Sequence, residues 1–191
     1  MRIEGRHSFV KDRQAIWNDL QDPETLAATL PGVRRLEVVG PDQYSVAADV
    51  GIGSVKGLFD GTFEVAEKKE LESCVLRGSA RGASGAAQLQ ARVTLADSDG
   101  TGTLLTYTAD ATVTGPIAGV GQRLVAAASK RMAEQFFKSV DDYRPAVAAE
   151  PAGVFERPST RRADKGFLVG VAVGFAAALI AVAIGRWSAR R

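Results

Sequence analysis

With 191 residues, 46% of them hydrophobic, the chain is long enough to bury one sizeable core, and its single cysteine excludes an internal disulfide framework. The net charge of +2 is unevenly spread: of 24 Lys/Arg and 22 Asp/Glu, residues 144–191 hold eight and three, which leaves residues 1–143 with 16 against 19, about −3. An acidic folded part gives no electrostatic footing for nucleic acid.

The N-terminal stretch MRIEGRHSFV carries charges where a secretory signal needs an apolar core, so the folded part is expected in the cytoplasm. Ile3 to Val10 reads as a short strand. A helix follows from Asp12 or Arg13 to Leu20, with Ala15, Ile16 and Leu20 facing inward. Asp22-Pro23-Glu24 marks a second helix start, an acidic cap with proline at the first helical position, and Pro31-Gly32 ends that helix after Leu30.

Strands then take over. Val33 to Val39 and Tyr44 to Val50 flank Gly40-Pro41-Asp42, a hairpin turn by composition. Further alternating runs, such as Val55, Gly57, Phe59, Gly61, Phe63 and Val65 set against Lys56, Asp60 and Glu64, predict an antiparallel sheet with one dry and one wet face. Turns at Gly51 to Gly53, Lys68 to Glu72, Gly82 to Gly85 and Asp97 to Gly102 make it a meander.

From Ile117 to Tyr143, apolar residues at Val120, Leu124, Ala128, Met132, Phe136 and Val140 recur at steps of three and four. That period predicts one long amphipathic helix, opened by Gly115-Pro116 and closed before Arg144-Pro145, whose apolar stripe the sheet must cover. The fold class is α+β, a curved antiparallel sheet wrapped on a C-terminal helix.

The dry face is rich in small residues, so the sheet is expected to leave an apolar cavity over the helix. Its expected lining is Val46, Val50, Phe59, Phe63, Leu76, Gly78, Leu89, Ala91, Tyr107, Ala109 and Ala111 from the strands and Leu124, Ala128, Met132 and Phe136 from the helix. The alternative is that the glycines only let long strands bend and the helix side chains fill the space.

Groups that carry chemistry are sparse. His7 is the only histidine, so one chain can form neither a histidine-based triad nor a multi-histidine metal site. Cys74 falls on the dry face beside Leu76, where a thiol is a small apolar filler. The Gly82 to Gly85 loop leads into a strand rather than a helix and reads as a hairpin turn, not a phosphate cradle. Asp141 and Asp142 are helix neighbours that project in different directions, which makes them solvated charges.

Residues 144–165, with Pro145, Pro151 and Pro158 and no amphipathic period, read as a flexible linker. From Gly166 to Gly185 there is no charge, and 20 residues at about 1.5 Å each span roughly 30 Å, the hydrocarbon thickness of a bilayer. Arg161, Arg162 and Lys165 before it and Arg186, Trp187, Arg190 and Arg191 after it suit the headgroup level, so 166–185 is read as a single-pass tail anchor of the cytoplasmic membrane and 186–191 as its basic end. Gly166, Gly170 and Gly174 stand four apart, a spacing that lets two anchors pair as a homodimer; glycine is also simply common in such helices.

PETLAATLPGV (23–33), VGIGSVKGLFDG (50–61), RGASGAA (81–87), GTLLTYTADATVTGPIAGVGQRLV (102–125) and MAEQFF (132–137) together resemble the CoxG family of carbon monoxide dehydrogenase, across residues 1–143 and in order. The resemblance implies a START-like helix-grip fold and a non-catalytic role in bringing a molybdenum hydroxylase, carbon monoxide dehydrogenase, to the cytoplasmic membrane. The family often has a cysteine before its Pro-Gly turn; here the segment is Thr29-Leu30-Pro31-Gly32.

The expected function is therefore a membrane-anchored accessory protein that recruits such an enzyme and holds an apolar small molecule, an isoprenoid quinone or lipid, with no metal and no catalytic residue. Two other readings stand beside it: an adaptor without ligand, and a START-like cyclase or hydrolase, for which the dry face offers little beyond Tyr107 and Cys74.

Overall fold

The computed structural model describes residues 1–53, 55–98, 100, 102–144 and the backbone of 154–156. Strand β1 (Arg2–Phe9) leads into two short helices, α1 (Arg13–Asp19) and α2 (Pro23–Thr29). Each is capped as its sequence requires: the Asp12 carboxylate accepts from the Ala15 amide and the Asp22 carboxylate from that of Thr25, both at 2.8 Å. Six strands follow, β2 (Val33–Gly40), β3 (Gln43–Ile52), β4 (Val55–Lys69), β5 (Ser73–Gly82), β6 (Gly85–Asp97) and β7 (Thr103–Thr114), and then helix α3 (Gln122–Asp142).

The strands pair as a meander, and β1 joins antiparallel to β7. A short β8 (Val154–Glu156) adds to the free edge of β2, with Leu36 opposite Phe155, so the order is β1-β7-β6-β5-β4-β3-β2-β8. Seven long antiparallel strands thus carry one long helix. A register shift between Ala66 and Lys69, with Glu67 at φ +52°, bends β4 against β5.

The core lies between the sheet's inner face and the helices. Val46, Phe59, Phe63, Leu76, Ala91 and Ala109 meet Ile16, Leu20, Leu26 and the α3 residues Val125, Ala128, Met132, Phe136, Phe137 and Val140, all buried in one cluster.

Two expectations change. The helix does not run from Ile117: Pro116–Val120 forms a 3-10 turn, Gly121 at φ +93° breaks it, and α3 starts at Gln122. Its buried stripe is consequently rotated to Val125, and Leu124, expected inside, is 41% exposed. The stretch 144–165, expected to be linker throughout, contains β8.

Among the described residues no helix is long and apolar enough to cross a membrane. The expected anchor at 166–185, its Gly166, Gly170 and Gly174 face and the basic end 186–191 lie outside the described residues.

The C-terminus of α3 is tied to the start of the chain. Lys11 Nζ donates to the Val140 carbonyl at 2.8 Å, to the Tyr143 carbonyl at 3.1 Å and to Asp19 Oδ2 at 2.7 Å, while the Val10 amide donates to the Asp141 carboxylate. A lysine on terminal helix carbonyls satisfies acceptors that have no partner within the helix and complements the helix dipole. Replacing Lys11 by methionine keeps the stem but strands these acceptors, and should cost about 1–3 kcal/mol in equilibrium denaturation. A cost near zero would mean that water replaces the ammonium freely.

Candidate functional site

The fifteen residues expected to line a cavity fall into three groups. Val46, Val50, Phe59, Phe63, Leu76, Ala91, Tyr107, Ala109, Ala128, Met132 and Phe136 are at most 5% exposed and belong to the continuous core. Gly78, Leu89 and Ala111 are half-buried and occupy a single cross-strand row, Gly78 opposite Leu89 and Leu89 opposite Ala111. Leu124 stands outside, at the first turn of α3.

The half-buried row marks where helix and sheet part. Met1 extends it, since its carbonyl accepts from the Ala111 amide at 2.8 Å. Here a notch of about 190 Å³ opens between β7 and the start of α3, lined by Met1, Ala111, Thr112, Val113, Ala118, Gln122 and Val125. The 3-10 turn forms its rim. Ile117 plugs that turn into the fold: its side chain is fully buried and its amide donates to the Ser84 carbonyl at 3.0 Å. Glycines bound the turn on both sides, Gly115 at φ +80° and Gly121 at φ +93°, conformations that only glycine adopts freely.

A second, larger depression of about 670 Å³ crosses the opposite, outer face. Its floor is the backbone of the row Tyr44, Phe63, Gly78 and Leu89, and its walls are the outward-facing Thr62, Glu64, Arg77, Ser79, Gln88 and Gln90. Arg77 is held there between Glu64, at 3.5 Å, and Glu67, at 2.8 Å. This trough is polar and open, so it offers an apolar molecule nothing.

Reactive groups are muted by their surroundings. Burial pushes the Cys74 thiol up to about 12, so at neutral pH it is neither a thiolate nor a nucleophile. His7 packs between Phe9, with ring centroids 4.7 Å apart, and Phe137, at 5.4 Å; burial lowers its pKa despite the opposing pull of Asp141 and Glu134. Burial, and then Glu134, raises the pKa of Tyr107, whose ring lies over Gly5 on the neighbouring strand. Among the described residues no cluster of His, Cys, Asp or Glu could hold a metal ion. Gly82 to Gly85 is the β5–β6 hairpin turn.

Sequence reasoning missed Met1, Val113, Ala118, Gln122 and Val125 at the notch. One available signal was Gly119 and Gly121, two glycines in three residues, which argue against a helix running through them. Met1 could not be placed without the β1–β7 pairing, a contact across more than 100 residues.

Comparison with known proteins bears directly on this architecture. A conserved protein from Geobacillus kaustophilus is 29% identical and superposes with a TM-score of 0.71 over 74% of this chain and 93% of its own. A START superfamily protein from Mycobacterium smegmatis, 17% identical with a TM-score of 0.56, shares the fold over 74% of this chain and 94% of its own. So does the Zhui aromatase/cyclase from Streptomyces sp. R1128, 13% identical with a TM-score of 0.57 over 74% and 92%. No curated protein matches the chain. The family profile of carbon monoxide dehydrogenase CoxG matches residues 5–143, which takes in every long strand and all three helices apart from the first residues of β1. The chain belongs to the CoxG family of carbon monoxide dehydrogenase.

Proposed function

We propose that the protein is a membrane-tethered, non-catalytic accessory of a molybdenum-containing carbon monoxide dehydrogenase, and that it holds an apolar molecule, an isoprenoid quinone or similar lipid, in the groove that opens at the start of α3. The partner rests on family membership. The tether rests on the uncharged run 166–185, which puts the folded domain on the cytoplasmic face of the cytoplasmic membrane.

The observation that carries the ligand is the half-buried apolar row Gly78, Leu89 and Ala111, continuous with the core yet open at the notch. Ligand pockets run to about 300–1,000 Å³, so a notch of about 190 Å³ receives the end of a chain-like molecule, not a whole quinone. Complete entry then requires the 3-10 turn to swing away on Gly115 and Gly121. A tether makes capture from the bilayer a local event at high effective concentration. The absence of an activated nucleophile at Cys74 fits a carrier better than a catalyst.

Two variants of the full chain separate the halves of this reading. Deleting 166–191 should leave the dehydrogenase in the soluble fraction on sedimentation of membranes. Ala111→Phe, which fills the notch, should leave the enzyme at the membrane and reduce quinone recovered with the protein to background. Quinone retained by Ala111→Phe, in a protein that melts like the parent, would move the ligand elsewhere; a dehydrogenase that stays on the membrane without 166–191 would remove the anchoring role.

A further inference from the structure

The solvent side of α3 is charged in one sense. Between Gln122 and Lys138 it exposes Arg123, Lys130, Arg131 and Lys138 against one carboxylate, Glu134, on a domain that is acidic as a whole. At 100° per residue these side chains, with Leu124 and Ala127, fall within an arc of about 140°. Among the described residues none of the four cations enters an ion pair or a hydrogen bond, whereas Arg77 and Arg92 on the sheet's outer face are matched by Glu64 and Glu67. Charge that a fold leaves unmatched on one face, while matching it on another, is available to a partner of opposite sign.

Leu124 completes the pattern. It lies at the N-terminal end of this arc, 41% exposed, next to Gly121 and the notch. A helix that presents cations along its length and an aliphatic side chain at one end suits a headgroup surface, where the cations meet lipid phosphates and the leucine enters the acyl boundary.

The place where the chain leaves the domain points the same way. Helix α2 touches α3, β2 and β8, so Glu156 lies on the α3 side of the molecule. The nine residues from there to Lys165 reach roughly 15–18 Å as flexible coil, which holds the domain close to whatever anchors residue 166.

We propose that the exposed face of α3, with Leu124 as its apolar tip, docks on an anionic lipid surface and sets the mouth of the groove against the bilayer. This rests on the carrier reading and specifies how it reaches its ligand: the notch faces the membrane, and the outer sheet, with its polar trough, faces away. Each cation near an anionic surface strengthens docking about fivefold, so Lys130 and Arg131 together account for about 30-fold.

The test uses the full chain with Ala127→Cys, an exposed position on the docking face, carrying an environment-sensitive fluorophore; buried Cys74 does not compete for the label. In nanodiscs rich in phosphatidylglycerol the label should be quenched by headgroup-level nitroxide lipid, and in phosphatidylcholine discs it should not. Lys130→Gln with Arg131→Gln should lower the docked-to-free ratio about 30-fold at low salt, and added salt should do the same to the parent. A label that stays in water on anionic discs overturns the proposal, as does equal quenching in both lipids. Shielding that needs added dehydrogenase, whatever the lipid, assigns the face to a protein and overturns it too. Quinone measured on the same discs keeps the two claims apart: a loaded protein with a solvated label fails only the docking, and a docked protein that never loads fails only the carrier.

Discussion

Phe137→Ala should destabilise the domain by about 3–5 kcal/mol, the cost of removing a buried aromatic and leaving a void. Phe137 is 1% exposed, and its ring lies 5.4 Å from both His7 and Phe136, 5.7 Å from Phe9 and 6.0 Å from Tyr107. It is where α3 meets β1 and β7, so its loss loosens the grip of sheet on helix and exposes His7 to water. Denaturant unfolding of residues 1–156, which retain every described strand and helix, would measure it. A change below about 1 kcal/mol would mean that the cluster repacks around the gap.

A comparable loss, about 3 kcal/mol or more, is expected from Gly85→Ala, with backbone strain and overpacking acting together. Gly85 has φ +130°, and an added Cβ would be driven into the Thr114 carbonyl oxygen and within 3.1 Å of Ile117 Cγ2. Gly115 faces it across the same gap, its own Cβ position 2.7 Å from Gly85 Cα. These two backbones touch because neither residue has a side chain, and that contact seats Ile117 beneath the 3-10 turn. The same unfolding measurement applies. A neutral Gly85→Ala would show that the β5–β6 turn gives way easily and does not position the turn over the notch.

What the sequence discloses follows from how local each signal is. The caps Asp12 and Asp22, the proline at the start of α2 and the alternation along β3 to β7 act within a few residues, and those elements stand where they were expected. The start of α3 does not, because periodicity alone carried the helix back to Ile117 across Gly119 and Gly121. That offset changes which residue faces the groove, Val125 instead of Leu124. Three residues of β8 have no period of their own; they pair because β2 has an open edge, a fact of the assembled sheet.

The candidate site was legible only in part for a related reason. Small residues on the dry face were visible as a class, but whether space remains beside them depends on what the helices bring. Met132, Phe136 and Phe137 fill the side toward β1, while Gly78, Leu89 and Ala111 stay half-open toward the notch. Gly5 shows the same dependence: its Cβ position lies 2.5 Å from the Tyr107 hydroxyl, and nothing within β1 reveals that this ring covers it.

The measurement that bears most directly on the carrier reading is native mass spectrometry of residues 1–156, released by protease from the full chain in its own membrane and kept free of detergent. A stoichiometric apolar adduct, recovered by solvent extraction as a quinone or lipid and absent from Ala111→Phe, is the expected result. A folded domain of bare protein mass, still bare after incubation with quinone-loaded liposomes, would contradict it and leave a membrane adaptor without cargo.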